Sequence, residues 1–348
     1  MKVLPFKIER PGQLLLICFA LLFMLASAFL ARAWNQLNSP LQLSEPIVFE
    51  IAPGSSLAGV SQRLAQQGGL DHPFLFVLWA RFTDSAQRLQ TGEYEIDPSM
   101  TSRQLLEKLT SGDVKQYQLT LVEGWTFQQA LQEIWSNPGI VLTLQDRTIN
   151  QIASELNSPN SSPEGLIFPD TYFYTKGTSD REILQRAADR LDSVLALSWN
   201  NRVGALPLDT PYQALILASI VEKETAVPEE RRQVAGVFVR RLEQGIRLQS
   251  DPTVIYGMGE SYEGNIDRNA LNERTPYNTY RINGLPPTPI ALVGKEAIEA
   301  SLNPEAADYL YFVSRGDGSH YFSATLEEHN EAVRRYQLNQ SGSQNAQQ

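Results

Sequence analysis

Cysteine is almost missing from this chain, histidine is scarce, and positive charge never accumulates. The one cysteine, Cys18, stands in an apolar run and excludes an internal disulfide. That count fits any compartment whose proteins fold without disulfides and does not choose among them. The three histidines, His72, His320 and His329, are scattered, and neither HExxH nor CxxC spacing occurs. A zinc hydrolase or a structural metal site is therefore not expected, and no cofactor is implied. The net charge is −10, from 29 basic and 39 acidic residues. No basic stripe is there to neutralise phosphates, so nucleic acid is not an expected partner.

Only one long apolar run is present. Residues 14–30 are almost wholly apolar and uncharged, with Lys2, Lys7 and Arg10 before them and Arg32 and Trp34 after. With its neighbours the run approaches the roughly 20 residues needed to cross a bilayer. Positive residues ahead of it place the N-terminus, residues 1–13, in the cytoplasm and the rest outside the inner membrane. Residues 14–34 then form the anchor, and Trp34 suits the interfacial belt. The competing reading is a cleaved signal peptide, because Ala26-Ser27-Ala28 resembles an A-x-A site. The run is longer than a typical signal core of about 7–15 residues, which favours the anchor. Either way the functional part is exported.

With 348 residues the chain has room for two or three domains. The pattern predicts an α+β protein in parts. Residues 35–46, polar with Pro40 and Pro46, read as a linker. Residues 47–118 read as a small module: strands at 47–51 and 92–96, helices after Ser56, near Pro73 and after Thr101. Residues 119–338 form a larger α+β part, with a strand at 116–122 and a long helix capped by Ser179. A hairpin turns at Gly316-Asp317-Gly318. Residues 339–348 are low-complexity and expected to be disordered.

The chemical signal lies in residues 214–227, read as a helix. At about 100° per residue, Leu217, Ile220 and Val221 share one arc, and Glu224 projects into it. Glu222, Ser219 and Lys223 fall on the other side. A carboxylate on a greasy face is costly unless protonated or paired. Desolvation raises its pKa, which is what a general acid working near neutral pH requires. The plainer reading is a buried salt bridge from Glu224 to Arg240 or Arg247.

Three loops follow, at 248–257, 275–280 and 284–290. Prolines stiffen them, while tyrosines, Asn278 and Gln249 supply stacking faces and neutral hydrogen-bonding groups. Sugars bind through that combination. Gln249, Asp251, Tyr256, Asn278 and Tyr280 are therefore candidate substrate contacts, with Glu222 beside them. Glu164 and Asp170 read as turn caps rather than cleft residues, and His320 reads as a strand residue.

Four segments, Ala-Ser-Ile-Val-Glu-Lys-Glu-Thr at 218–225, Asp-Pro-Thr-Val-Ile-Tyr-Gly at 251–257, Tyr-Asn-Thr-Tyr at 277–280 and Gly-Leu-Pro-Pro at 284–287, together resemble the endolytic murein transglycosylases, the YceG-like family. The resemblance spans about residues 47–337. It implies a membrane-anchored enzyme that cuts within peptidoglycan glycan strands, a LysM-like first module at 47–118 and a catalytic domain at 119–338. It also implies work alongside the peptidoglycan-synthesis machinery. Residues 220–227 are similar to the Glu-Ser segment of lysozyme-like lytic transglycosylases, which puts Glu224-Thr225 in the Glu-Ser place. Glu222 is the alternative catalyst, or a neighbour that tunes the site.

Such a reaction needs one carboxyl group, acting first as acid and then as base. A glycosidase normally needs a second carboxylate about 5–9 Å away. Asp251 is the candidate partner, although it can equally be a turn cap before Pro252. Two rivals therefore stand: a lysozyme-type hydrolase using Glu224 and Asp251, and a non-enzymatic wall-binding scaffold.

Overall fold

Helix α1 covers Pro11–Asn38 in a computed structural model that describes residues 11–338. The basic residues of the expected cytoplasmic start, and the 339–348 tail, lie outside the described residues. Residues Leu14–Asn38 are long and apolar enough to cross a bilayer, and their most apolar stretch buries nothing. By length and composition this helix is a membrane anchor or a signal sequence. Its far end is not a free linker, as residues 35–46 were expected to be. Leu37 is buried, Trp34 meets Trp79 edge-on at 6.0 Å, and Arg103 lies over both rings at 4.8 and 5.5 Å. Leu41 N–H then donates to Met100 O at 2.8 Å. Aromatic and cation–π contacts of this kind hold the helix end where a polar segment would have swung free.

The mixed α+β chain divides in sequence between Tyr117 and Gln118. The first unit runs β1 (Ile47–Ile51), α2 (Leu57–Gln66), α3 (Pro73–Phe82), β2 (Gly92–Ile96) and α4 (Ser102–Ser111). Strands β1 and β2 are antiparallel, with Phe49 opposite Tyr94. Alternation sends Phe49, Ile51, Tyr94 and Ile96 inward, onto Val60, Leu64, Phe76, Leu105 and Leu109. Thr101 and Gln104 form a reciprocal capping box on α4, and Gly112 ends it at φ +79°.

Strand β3 (Tyr117–Thr120) begins at the division, and α5 (Phe127–Ser136) and α6 (Ile149–Glu155) follow in the second unit. Next come β4 (Thr171–Tyr174), which pairs with β3, and α7 (Asp180–Asn200). Buried Asp180 accepts from Thr143 N, Leu144 N and Trp135 Nε1, tying the loop after α5 to the start of α7. The centre is α8 (Pro211–Glu224), followed by α9 (Arg231–Glu243), α10 (Asp251–Met258), α11 (Arg268–Asn272) and α12 (Lys295–Leu302). Hairpin β5 (Tyr311–Ser314) and β6 (His320–Ser323) precedes α13 (Leu326–Val333), which widens into a π turn at Arg334–Leu338. Arg240 and Arg241 of α9 clamp the hairpin by donating from Nε to Tyr309 O and Leu310 O, each at 2.7 Å.

Helix α8 is not the two-faced helix that the wheel suggested. Every residue from Ala214 to Val221 is buried, Ser219 included. The reason is packing on all sides, by α7, α9, α10 and α12. Ser219 survives there because its hydroxyl donates to Ile216 O and accepts from Ile290 N. Residues 248–257, expected as a loop, turn out to be mostly α10. Ser250 caps it and Pro252 sits in its first turn, a start signal hidden by the density of proline.

One glycine in this unit is irreplaceable on two counts. Gly165 has φ +72°, and a Cβ there would stand 2.5 Å from Pro289 Cβ. Gly165→Ala is expected to destabilise the protein by about 1–3 kcal/mol or more. A chemical-denaturation midpoint measures it; an unchanged midpoint would contradict this packing.

Candidate active site

Glu224 is the last residue of α8, where the buried helix reaches the surface. The residue keeps part of its surface, while its carboxyl group is drawn in beside Ser250, Asp251 and Arg241. Burial pushes its pKa up to about 7. The charge of Asp251 raises it further, while the Ser250 hydrogen bond and the Arg241 guanidinium pull it down. A helix C-terminus also carries partial negative charge, which disfavours a carboxylate.

Ser250 Oγ donates to Glu224 Oε1 at 2.5 Å. Ser250 cannot swing away. It is fully buried, its N–H donates to Thr279 Oγ1 at 2.9 Å, and its carbonyl accepts from Thr253 Oγ1 at 2.7 Å. Thr253 and Thr279 share a further hydrogen bond of 2.8 Å. One oxygen of Glu224 is thus fixed as an acceptor, which leaves Oε2 as the place for a proton. Beside this knot, exposed Gln249 adopts φ +52°, a left-handed conformation that is uncommon outside glycine and recurs at functional sites. Asp251 is exposed, and its Oδ1 accepts from Tyr280 OH at 2.7 Å. Glu224, Gln249, Asp251 and Tyr280 therefore gather at one place.

Tyr256 belongs to a second, inner cluster. Its hydroxyl donates to Glu164 Oε2 at 3.1 Å, and its ring meets Tyr277 edge-on at 4.9 Å. Glu164 also accepts from Phe127 N–H at the start of α5, at 2.9 Å. Burial pushes the Glu164 pKa up to about 7 as well. Tyr277 OH completes the cluster on Thr288 Oγ1 at 2.8 Å. Glu164 thus takes the first N–H of α5 from 37 residues away in sequence, where a local turn cap was expected. Tyr256, expected as a sugar contact, spends its hydroxyl and one ring edge inward.

Two expected substrate contacts are corrected. Asn278 is buried, with its amide nitrogen donating to the carbonyls of Ala270, Leu271 and Glu273 and its oxygen accepting from Tyr280 N. Its amide donors are used up in shaping the loop that delivers Tyr280. Glu222 points away from Ser250: it accepts from Gly294 N at 3.0 Å and lies 3.8 Å from Arg231. Nor is Glu224 an ion-pair partner of Arg240 or Arg247. Arg240 donates to Tyr309 O and Glu305 O, and Arg247 to Tyr280 O and Asn283 Oδ1. Thr225 is buried and turned inward, its hydroxyl donating to Glu230 Oε2 at 3.4 Å. Glu230 in turn holds His320 at 2.7 Å.

Ser250 is the residue that sequence reasoning passed over. The Ser-Asp-Pro start of α10 was the available signal, although Ser250 makes no side-chain cap bond and gives its hydroxyl to Glu224 instead. Among the described residues no group of three or more His, Cys, Asp or Glu side chains could hold a metal ion.

Residues 49–335 match the YceG-like family. The chain belongs to that family. It is 31% identical over 304 residues to the endolytic murein transglycosylase of Bacillus subtilis, covering 82% of this chain and 83% of the relative. An endolytic murein transglycosylase of Streptococcus pneumoniae is 29% identical over 323 residues, with 81% of this chain and 57% of the relative covered. The chain therefore spans little more than half the length of the pneumococcal protein. A crystal structure of a yceG-like protein from Listeria monocytogenes is similar at TM-score 0.53 and 30% identity, over 83% of this chain and 99% of that one.

Two outcomes follow for this YceG-like chain. The Ser250 hydrogen bond lowers the Glu224 pKa. Ser250→Ala is therefore expected to move Glu224 titration, followed by carboxyl-carbon NMR, from near 7 to a higher pH; a downward shift would contradict the geometry. Glu164 has a folded pKa raised above the usual carboxylate range to about 7, so the folded state holds its proton more tightly than the unfolded state. Its contribution to stability is thus lost as pH rises from about 4.5 towards 7. In Glu164→Gln the fall in Tm between about pH 5 and about pH 8 should shrink. Calorimetry at both values checks this, and an unchanged fall would count against it.

Proposed function

We propose that this protein is an endolytic lytic transglycosylase that cleaves the bond between N-acetylmuramic acid and N-acetylglucosamine within nascent glycan strands. The observation that carries this reading is the carboxyl group at the open end of α8, fixed by a buried serine and holding its proton close to neutral pH. Family membership and the names of the relatives support the substrate class.

In this mechanism Glu224 starts protonated. It gives its proton to the glycosidic oxygen, and the bond from that oxygen to C1 of the muramoyl residue breaks. Positive charge grows at C1. Glu224, now a carboxylate, takes the proton from the muramoyl C6 hydroxyl as that oxygen bonds to C1. A 1,6-anhydro end forms, the glutamate regains its proton, and no water is consumed. Strand growth from that end stops. Ser250 keeps the carboxyl in one rotamer through both transfers. Tyr280 and Gln249 flank it as sugar contacts, and Asp251 places negative charge beside the developing cation.

Helix α1 serves as an uncleaved anchor, with Lys2, Lys7 and Arg10 on the cytoplasmic side and both units in the periplasm. The strand–helix–helix–strand order of the first unit supports a LysM-like glycan-binding module. The synthesis machinery that makes the strands is the expected neighbour.

One observation favours a second reading. Asp251 is an exposed carboxyl electrostatically linked to Glu224, as a lysozyme-type hydrolase needs. Mass analysis of glycan digested by the purified protein separates the two. Anhydro ends, one water lighter than reducing ends, are expected from wild type, and Glu224→Gln should lose at least about a hundredfold in rate. Reducing ends would overturn the transglycosylase reading. Unchanged release by Glu224→Gln would remove that residue from the chemistry, and glycan binding without cleavage by either protein would leave a scaffold.

A further inference from the structure

A second site lies at the start of α9, among residues that the mechanism does not use. A cavity of about 480 Å³ is bounded there by Ser198 of α7 and Asn201 just past its end, Arg231 and Arg232 of α9, and Glu296 and Glu299 of α12. That volume is within the usual span of small-molecule sites. Glu224 and Ser250 do not line it.

Arg231 is the informative side chain. It is mostly buried, and its Nε is buried with no hydrogen-bond partner among the described residues. A guanidinium left in that state costs free energy. The carboxyl group paired with it is loosely held: Glu222 Oε1 stands 3.8 Å from Nη2, and Glu222 Oε2 is committed to Gly294 N. Burial raises the Glu222 pKa, and the Arg231 guanidinium opposes that shift. Arg232 is exposed and orients its fork by donating from Nε to Asn303 O at 2.7 Å. The first N–H groups of α9 add partial positive charge, and Glu230 at its N-cap makes no side-chain cap bond. Two guanidinium groups and a helix start match a planar carboxylate, which takes paired N–H donors.

The opposite wall has the other sign. Glu296 and Glu299 face the same cavity, and Glu299 is tied to Lys295 at 3.4 Å. A dianion such as phosphate meets repulsion from that wall, whereas a ligand carrying both a carboxylate and an ammonium group is complementary to it. Peptides attached to the glycan supply both groups. We propose that this cavity binds the free carboxylate of a peptide substituent on the glycan strand, with its ammonium group against Glu296 and Glu299. This rests on the reading of the protein as a glycan-strand enzyme, and it gives that enzyme a way to sense peptide on its substrate.

The test is binding, measured on the full chain in detergent micelles by calorimetry. The probe is a short peptide with a lysine ammonium and a free D-alanine carboxylate, beside its C-terminal amide and inorganic phosphate. The free acid should bind saturably and the amide about tenfold more weakly or worse. Arg231→Gln should weaken the free acid by a similar factor. Arg232→Gln, an exposed change that leaves the core alone, should weaken it several-fold. Glu224→Gln should bind as wild type does, so loss of cleavage and loss of peptide binding are separate results. Equal binding of acid and amide, indifference to both arginine changes, or phosphate binding as tight as the peptide would each overturn the proposal.

Discussion

A single hydrogen bond, from the buried Ser250 hydroxyl to Glu224 Oε1, is what the rest of this structure is arranged to hold. A carboxyl group at a helix C-terminus would ordinarily face water and ionise. Here the helix is enclosed until its last turn, so the group emerges from an apolar column and is caught before it reaches solvent. The three hydroxyls of Ser250, Thr253 and Thr279 form the catch. Asn278 fixes the loop that brings Thr279 and Tyr280 to it. Much of the conspicuous sequence therefore works at one remove from Glu224, by holding the holder.

The inner cluster of Glu164, Tyr256, Tyr277 and Thr288 extends the same logic along α10. Ser250 stands at the first end of that helix and Tyr256 near its last turn. Anchoring Tyr256 on Glu164 fixes the helix as a whole, and with it the direction of Ser250. Gly165, pressed against Pro289, shows how closely the Glu164 loop is fitted to the segment after Gly-Leu-Pro-Pro. Segments that are distant in sequence share one rigid frame.

Much of this was legible from the residues. Period-two and period-3.6 patterns found β1, β2, α2 and α4, because each has one face inside and caps of the usual chemistry. Glu224 was singled out for a partly mistaken reason: the wheel assumed a solvated face that α8 does not have. A helix packed on every side leaves no polar stripe to read. Helix α10 was hidden because proline and glycine suggested a loop, and Asn278 looked like a sugar contact because sequence cannot show that its amide is spent on three carbonyls. Partnerships across long sequence distances, such as Ser250 with Glu224 or Tyr256 with Glu164, have no local signature.

In the proposed reaction Glu224 acts from its protonated form, with its pKa pushed up to about 7 by burial. The most direct test is the rate of glycan cleavage from about pH 5 to about pH 9, at saturating substrate. The rate is expected to fall tenfold per pH unit above a midpoint near 7. A rate that stays level across that range, or that climbs with pH, would contradict it.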